Sequence, residues 1–115
     1  MPTWDLRLPD DAPHYRDSSP GAITAAGMLR VAKLAGQAQG SQYRREAQRL
    51  LDSLAVHCSE TKPQALGLLR DGTYNANKGW GVEACFVCSD SFFVEALLAL
   101  EGKAADFWGP GTDTP

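Results

Sequence analysis

The sequence predicts an all-α protein, and three observations carry that prediction. Residues 20–35, entered abruptly after Arg16-Asp17-Ser18-Ser19, are apolar on nearly every helical side. Residues 41–58 repeat Tyr43, Ala47, Leu50, Leu51, Leu54 and Cys58 along one helical face. A third segment, from Asp90 or Ser91 to Glu101, is again apolar almost all round. Residues 59–89 hold no long periodic pattern and read as a long loop between the second and third helices.

The first helix is expected to begin at Ser18 or Ser19, capped by a serine or by Asp17, with Pro20 at a first-turn position where its missing N–H does no harm. Only Thr24, Arg30 and Lys33 interrupt its apolar surface, and a helix apolar all round belongs inside a larger body. The second helix sets Arg45, Gln48, Arg49, Asp52 and Ser53 on its wet side. Residues 36–40 read as a short turn, so the first two helices should form an antiparallel hairpin. In the loop, Leu66, Leu68 and Leu69 suggest one short extended piece and Asp71-Gly72 a turn. Gly102 marks the end of the third helix.

Residues 1–16, with Pro2, Pro9 and Pro13, read as an extended lead-in pinned by Trp4 and Leu6. Residues 17–102 form the helical portion and residues 103–115 a tail thinning into Gly-Pro-Gly. Two of the three helices are too apolar for three helices to bury. At roughly 25 cal/mol per Å² of apolar surface, leaving such faces wet costs kilocalories. The sequence asks for more helices than it contains, by self-association or as one sector of a larger fold.

With 115 residues, 43% of them hydrophobic and 22% charged, the chain falls in the ordinary globular class. A net charge of −3 leaves no broad nucleic-acid footprint. Arg44, Arg45 and Arg49 are interleaved with Glu46 and Asp52, as on a solvated helix face. No apolar run reaches the roughly 20 residues of a membrane span, and the N-terminus lacks the pattern of a signal peptide. A cytoplasmic location is the expectation.

Three cysteines make a poor disulfide framework. Cys85-x-x-Cys88 with His57-Cys58 supplies four soft ligands in the zinc reading. Phe86 and Val87 between the pair favour the alternative of buried core thiols, and no metal or other cofactor is expected.

The ordered motifs resemble the unsaturated glucuronyl hydrolases of glycoside hydrolase family 88. Trp4-Asp5 and Arg16-Asp17-Ser18-Ser19 match that family's W-D-x-x-x-P lead-in and R-D-S-S. Gly67-Leu68-Leu69-Arg70-Asp71-Gly72-Thr73-Tyr74 is similar to its G-L-L-x-x-G-T-Y, and Gly79-Trp80-Gly81-Val82 to its G-x-G-V. Residues 89–97 are similar to its G-D-Y-F-x-x-E-A-L, with Ser89 and Ser91 in place of the glycine and tyrosine.

The resemblance implies a partial (α/α)6 barrel, about three helices of the toroid, from the C-terminal end of such an enzyme. It implies oligosaccharides ending in an unsaturated uronic acid as partners, and a missing N-terminal barrel half. In the family an aspartate is thought to protonate the C4=C5 double bond and to activate water at C5, unlike displacement at the anomeric carbon. Those aspartates lie in the family's N-terminal half and have no counterpart here, so no catalytic residue is assigned and the chain alone is expected to be inactive.

Tyr74 corresponds to a pocket tyrosine of the family. Lys78 and Trp80 offer charge attraction and a stacking face, and Arg16 an anchor for an acidic sugar, the alternative being a structural pair with Asp17 or Glu95. A histidine often found before the family's G-T-Y is Asp71 here, and Asn75, Lys78 and Trp80 stand where serines and a lysine help some members bind sulfated sugar, so no sulfate preference is expected. Asp17 and Asp90 precede helices, and capping accounts for both. His14 and His57 have no nucleophile beside them in sequence, which supports no triad. The competing functional reading is a small helical interaction module that dimerises through its apolar helices without sugar chemistry.

Overall fold

The computed structural model describes residues 2–103. Three helices carry it: α1 (Ser19–Leu34), α2 (Gln37–Cys58) and α3 (Val87–Leu100). No strand forms among the described residues, and the loops are tied by four isolated antiparallel bridges. None of the described helices is long and apolar enough to cross a membrane. The tail expected over residues 103–115 lies outside the described residues except for Lys103.

The α1–α2 pair is antiparallel, because Gly21 early in α1 meets Leu54 late in α2, while Ala32 late in α1 meets Gly40 early in α2. α1 packs on both α2 and α3, which meet each other far less. Ala22, Ala25, Ala26 and Leu29 of α1, Ala47, Leu51 and Leu54 of α2, and Phe93 and Ala96 of α3 form the core, with Leu69 of the long loop beneath them.

Two helix starts differ from the sequence expectation. α2 begins at Gln37, because the chain needs only Ala35 and Gly36 to turn; residues 37–40 are helical, and Gly40 lies buried at the crossing. α3 begins at Val87, with Phe86 as its extended N-cap residue. Asp90 therefore sits inside the first turns and caps nothing. Its carboxylate instead accepts the N–H groups of Leu68 and Leu69, each at 2.9 Å, and clips the long loop to α3.

The end of α3 is as expected. Gly102, at φ +72°, follows Glu101, with Gly102 N–H on the Ala99 carbonyl and Lys103 N–H on that of Leu98. That pair of bonds is a Schellman motif, which needs a left-handed residue and so takes glycine. At the other end of the chain, Leu6 is 86% exposed and pins nothing, whereas the backbone of Trp4 bonds to Tyr15 and Pro2 accepts from Asp17.

One apolar face of α1 and one of α3 stay open. Ile23, Val31 and Leu34 on α1 and Val87, Val94 and Leu97 on α3 are all exposed. The three helices bury one side of each apolar segment and leave the opposite side uncovered, as expected for a sector of a larger helical array.

Candidate functional site

Tyr74, Lys78 and Trp80 share one hairpin in the long loop. Tyr74 N–H donates to the Gly81 carbonyl at 2.9 Å, and Asn75 and Trp80 exchange both backbone bonds at 3.0 Å. A single 3-10 turn, Ala76–Lys78, closes the hairpin, and the Asn75 side chain accepts the Lys78 N–H at 3.2 Å. At its base Gly72 and Ala84 exchange bonds of 2.8 and 2.7 Å.

Phe86 fixes how the hairpin lies. A Cβ on Gly72 or Gly81 would stand 2.5 or 2.7 Å from its ring, so both legs of the hairpin must be bare where they cross it. Tyr74 is 70% exposed and Trp80 55% exposed. The Lys78 ammonium stands 4.6 Å from the centroid of the Trp80 ring, a cation–π placement. The hairpin thus offers water an indole, a phenol and a cation together. The Trp4 indole braces it from the lead-in by donating to the Tyr74 carbonyl at 3.4 Å.

Arg16 lies at the hairpin's foot. Its guanidinium pairs with Asp71 at 3.8 Å, the same carboxylate that Arg70 approaches at 3.9 Å. Asp71 is thus an Arg16 partner that sequence reasoning did not name. The Arg16 backbone is equally engaged: its N–H donates to Glu83 at 3.1 Å and its carbonyl accepts the Thr73 hydroxyl at 2.7 Å. Asp17 serves the start of α1 as expected, accepting from the Ser19 N–H at 3.1 Å and the Ser19 hydroxyl at 2.7 Å, and it also accepts the Thr73 N–H at 3.3 Å.

A separate cleft of about 440 Å³ opens beside the loop, lined by Glu60, Lys62, Leu66, Cys85, Val87 and Asp90 among others. Its two carboxylates are already committed as acceptors. Glu60 is held below the usual carboxylate range, chiefly by the Lys62 N–H it accepts, helped by that of Thr61. Glu60 so held favours the ionised form and suits anchoring, not proton donation.

The expectation of buried core thiols fails for two cysteines. Cys58 is buried at the end of α2, but Cys85 and Cys88, which stand on either side of the start of α3, are exposed. No group of three or more His, Cys, Asp or Glu among the described residues is placed to hold a metal ion. His14, also unsupported as a triad member, bonds to the Pro9 carbonyl at 3.1 Å.

Sequence reasoning missed Thr73, Glu83 and Phe86. The glycines at 72 and 81 were the available signal for Phe86, as close backbone approaches. Nothing local marked Glu83.

An all-α sector with buried and amphipathic helices and a long loop before the last helix has the architecture of part of an (α/α)6 barrel. The chain is homologous to the unsaturated glucuronyl hydrolases of glycoside hydrolase family 88. It is 30% identical over 113 residues to the unsaturated glucuronyl hydrolase of Bacillus sp. (strain GL1), covering 91% of this chain and 29% of that one. It is 29% identical over 99 residues to the unsaturated chondroitin disaccharide hydrolase of Streptococcus pneumoniae, covering 83% of this chain and 25% of that one.

The crystal structure of the Bacillus sp. GL1 enzyme, responsible for the degradation of glycosaminoglycan, superposes with a TM-score of 0.75 at 30% identity, over 86% of this chain and 27% of that one. No family model matches the chain. The chain spans less than a third of the length of these relatives.

Proposed function

We propose that this chain is the C-terminal sector, residues 17–102 behind a lead-in of residues 1–16, of an unsaturated glucuronyl hydrolase-like protein. It supplies one wall of a pocket for oligosaccharides ending in an unsaturated uronic acid. Trp80 gives a stacking face, Lys78 a cation for the sugar's carboxylate, and Tyr74 a hydroxyl for hydrogen bonding. Arg16, already shared with Asp71, adds positive potential at the foot of the hairpin.

The observation that carries this reading is the Lys78–Trp80 pair, exposed on a hairpin of a chain homologous to these hydrolases. By itself the chain binds and does not turn over. Hydrolysis needs an acid–base group poised near working pH, and the essential aspartates of these enzymes, which lie in their N-terminal half, have no counterpart among these residues. The open apolar faces of α1 and α3 are where the remaining helices of the toroid, from other polypeptide sequence, pack. A self-contained module that dimerises without sugar chemistry draws no support from the relatives.

The test mixes purified chain with unsaturated chondroitin disaccharide. Saturable quenching of tryptophan fluorescence with no loss of the ultraviolet band of the C4=C5 double bond is the expected result. Loss of that band at a rate proportional to chain concentration refutes the inactivity, and the absence of any quenching refutes the sugar site.

A further inference from the structure

Among the described residues, two other than glycine hold left-handed backbone: Asp71 at φ +62° and Glu83 at φ +48°. They flank the Gly72–Ala84 bridge, one on each leg of the hairpin at its base. That region is disfavoured for L residues, so each must be held by its surroundings. Both holders lie within residues 16–18: Ser18 N–H donates to the Asp71 carbonyl at 2.8 Å, and Arg16 N–H to the Glu83 carboxylate at 3.1 Å.

Thr73 joins the two ends. Its hydroxyl donates to the Arg16 carbonyl at 2.7 Å and accepts the Glu83 N–H at 3.1 Å, while its own N–H donates to Asp17. Thr73 is 5% exposed and Asp17 7% exposed, so water does not replace a bond lost there. Tyr74 follows Thr73 directly, and Trp80 is reached through the ladder that starts at Tyr74.

We propose that Thr73 is the positioning residue of the sugar-contact hairpin, its single hydroxyl clamping the Arg16 carbonyl and the Glu83 amide so that Tyr74 and Trp80 are held at one angle toward the substrate. The substrate half of this inference rests on the function proposed above. Thr73 itself, being buried, does not touch the sugar.

The experiment compares the wild-type chain with Thr73→Val, which keeps the shape and removes the hydroxyl, and with Thr73→Ser, which restores it. Amide hydrogen exchange is followed at Tyr74, Asn75, Trp80 and Ala84, with Leu51 and Leu54 of α2 as controls, alongside affinity for unsaturated chondroitin disaccharide. Thr73→Val is expected to speed exchange at the hairpin amides about fivefold to tenfold and to weaken the disaccharide by a similar factor, leaving α2 unchanged. Thr73→Ser recovers both.

Unchanged exchange at the hairpin overturns the clamp. A loosened hairpin that still binds disaccharide like wild type overturns the positioning role. Failure of the wild-type chain to bind disaccharide overturns the sugar assignment, and the exchange arm then still decides the clamp. Should Thr73→Val lose helical content, Thr73→Ala takes its place: it removes the same hydroxyl without setting a methyl group against the Arg16 carbonyl and the Glu83 amide, with the same readouts and the same overturning results.

Discussion

The Oδ1 of Asp90 accepts the N–H of Leu69 at 2.9 Å, and Leu69 is the loop side chain sealed completely beneath the helices. The second oxygen takes the Leu68 N–H at the same distance, so one carboxylate satisfies two adjacent amides of the long loop. Charged acceptors make the stronger class of hydrogen bond. Asp90→Asn must turn its NH₂ toward one of those amides, and should cost about 1.5–3 kcal/mol. Urea unfolding reads this as a lower midpoint at unchanged slope, and a midpoint equal to wild type would remove the clip from the account of stability.

Gly40 and Gly27 make opposite predictions for the same substitution. A Cβ on Gly40 would stand 2.6 Å from the Ala32 carbonyl oxygen, which is backbone and cannot swing aside, so Gly40→Ala must separate α1 from α2. Overpacking of this kind costs roughly 1–3 kcal/mol, more than the ~1 kcal/mol alanine gains over glycine in a helix. A Cβ on Gly27 meets nothing within 4 Å. Gly27→Ala should therefore stabilise by about 0.5–1 kcal/mol. Thermal unfolding of the two variants beside wild type checks both signs.

Much of this architecture is legible in the sequence because helical spacing reports directly on which faces are buried. The body of α2 follows from Ala47, Leu51 and Leu54, and the end of α3 from Gly102, where one residue type answers one backbone conformation. The helix starts are less legible. Gly40 reads locally as a breaker, and only the approach of Ala32, distant in sequence, makes it a packing residue inside a helix.

Asp90 reads as a cap for a similar reason: its acceptor role is set by loop amides some twenty positions away. Tyr74, Lys78 and Trp80 are legible as site candidates through motif resemblance, but the hairpin that joins them is not, and its fastening by Thr73 and Glu83 depends on left-handed backbone that no composition announces.

Trp80 is proposed as the hairpin's stacking face and supplies little of the fold, since it is 55% exposed and the Lys78 ammonium stands over its ring. Trp80→Ala should weaken unsaturated disaccharide roughly tenfold, a step of about 1.4 kcal/mol, while moving global stability by no more than about 0.5 kcal/mol. Leu66→Ala is the matching control, since Leu66 is exposed in the separate cleft. Calorimetric titration of both variants tests the assignment. Equal affinity of Trp80→Ala and wild type would move the sugar away from this hairpin.

The three thiols should separate by burial. Cys85 and Cys88 are exposed and Cys58 is buried, so a disulfide reagent should label two thiols in the native chain and the third only on unfolding. Burial, seconded by the Asp71 carboxylate, pushes the Cys58 thiol up from its ordinary value, so the folded chain holds that proton more tightly than the unfolded one. The resulting stabilisation is fully present below the ordinary thiol value, about 8.5, and is lost as pH rises through the higher folded-state value. Stability should therefore decline on the alkaline side, and Cys58→Ala, though less stable at neutral pH for the small void it leaves, should decline less steeply. Urea midpoints measured for both proteins from neutral pH upward decide the matter: parallel curves would mean that Cys58 takes no part in the alkaline loss.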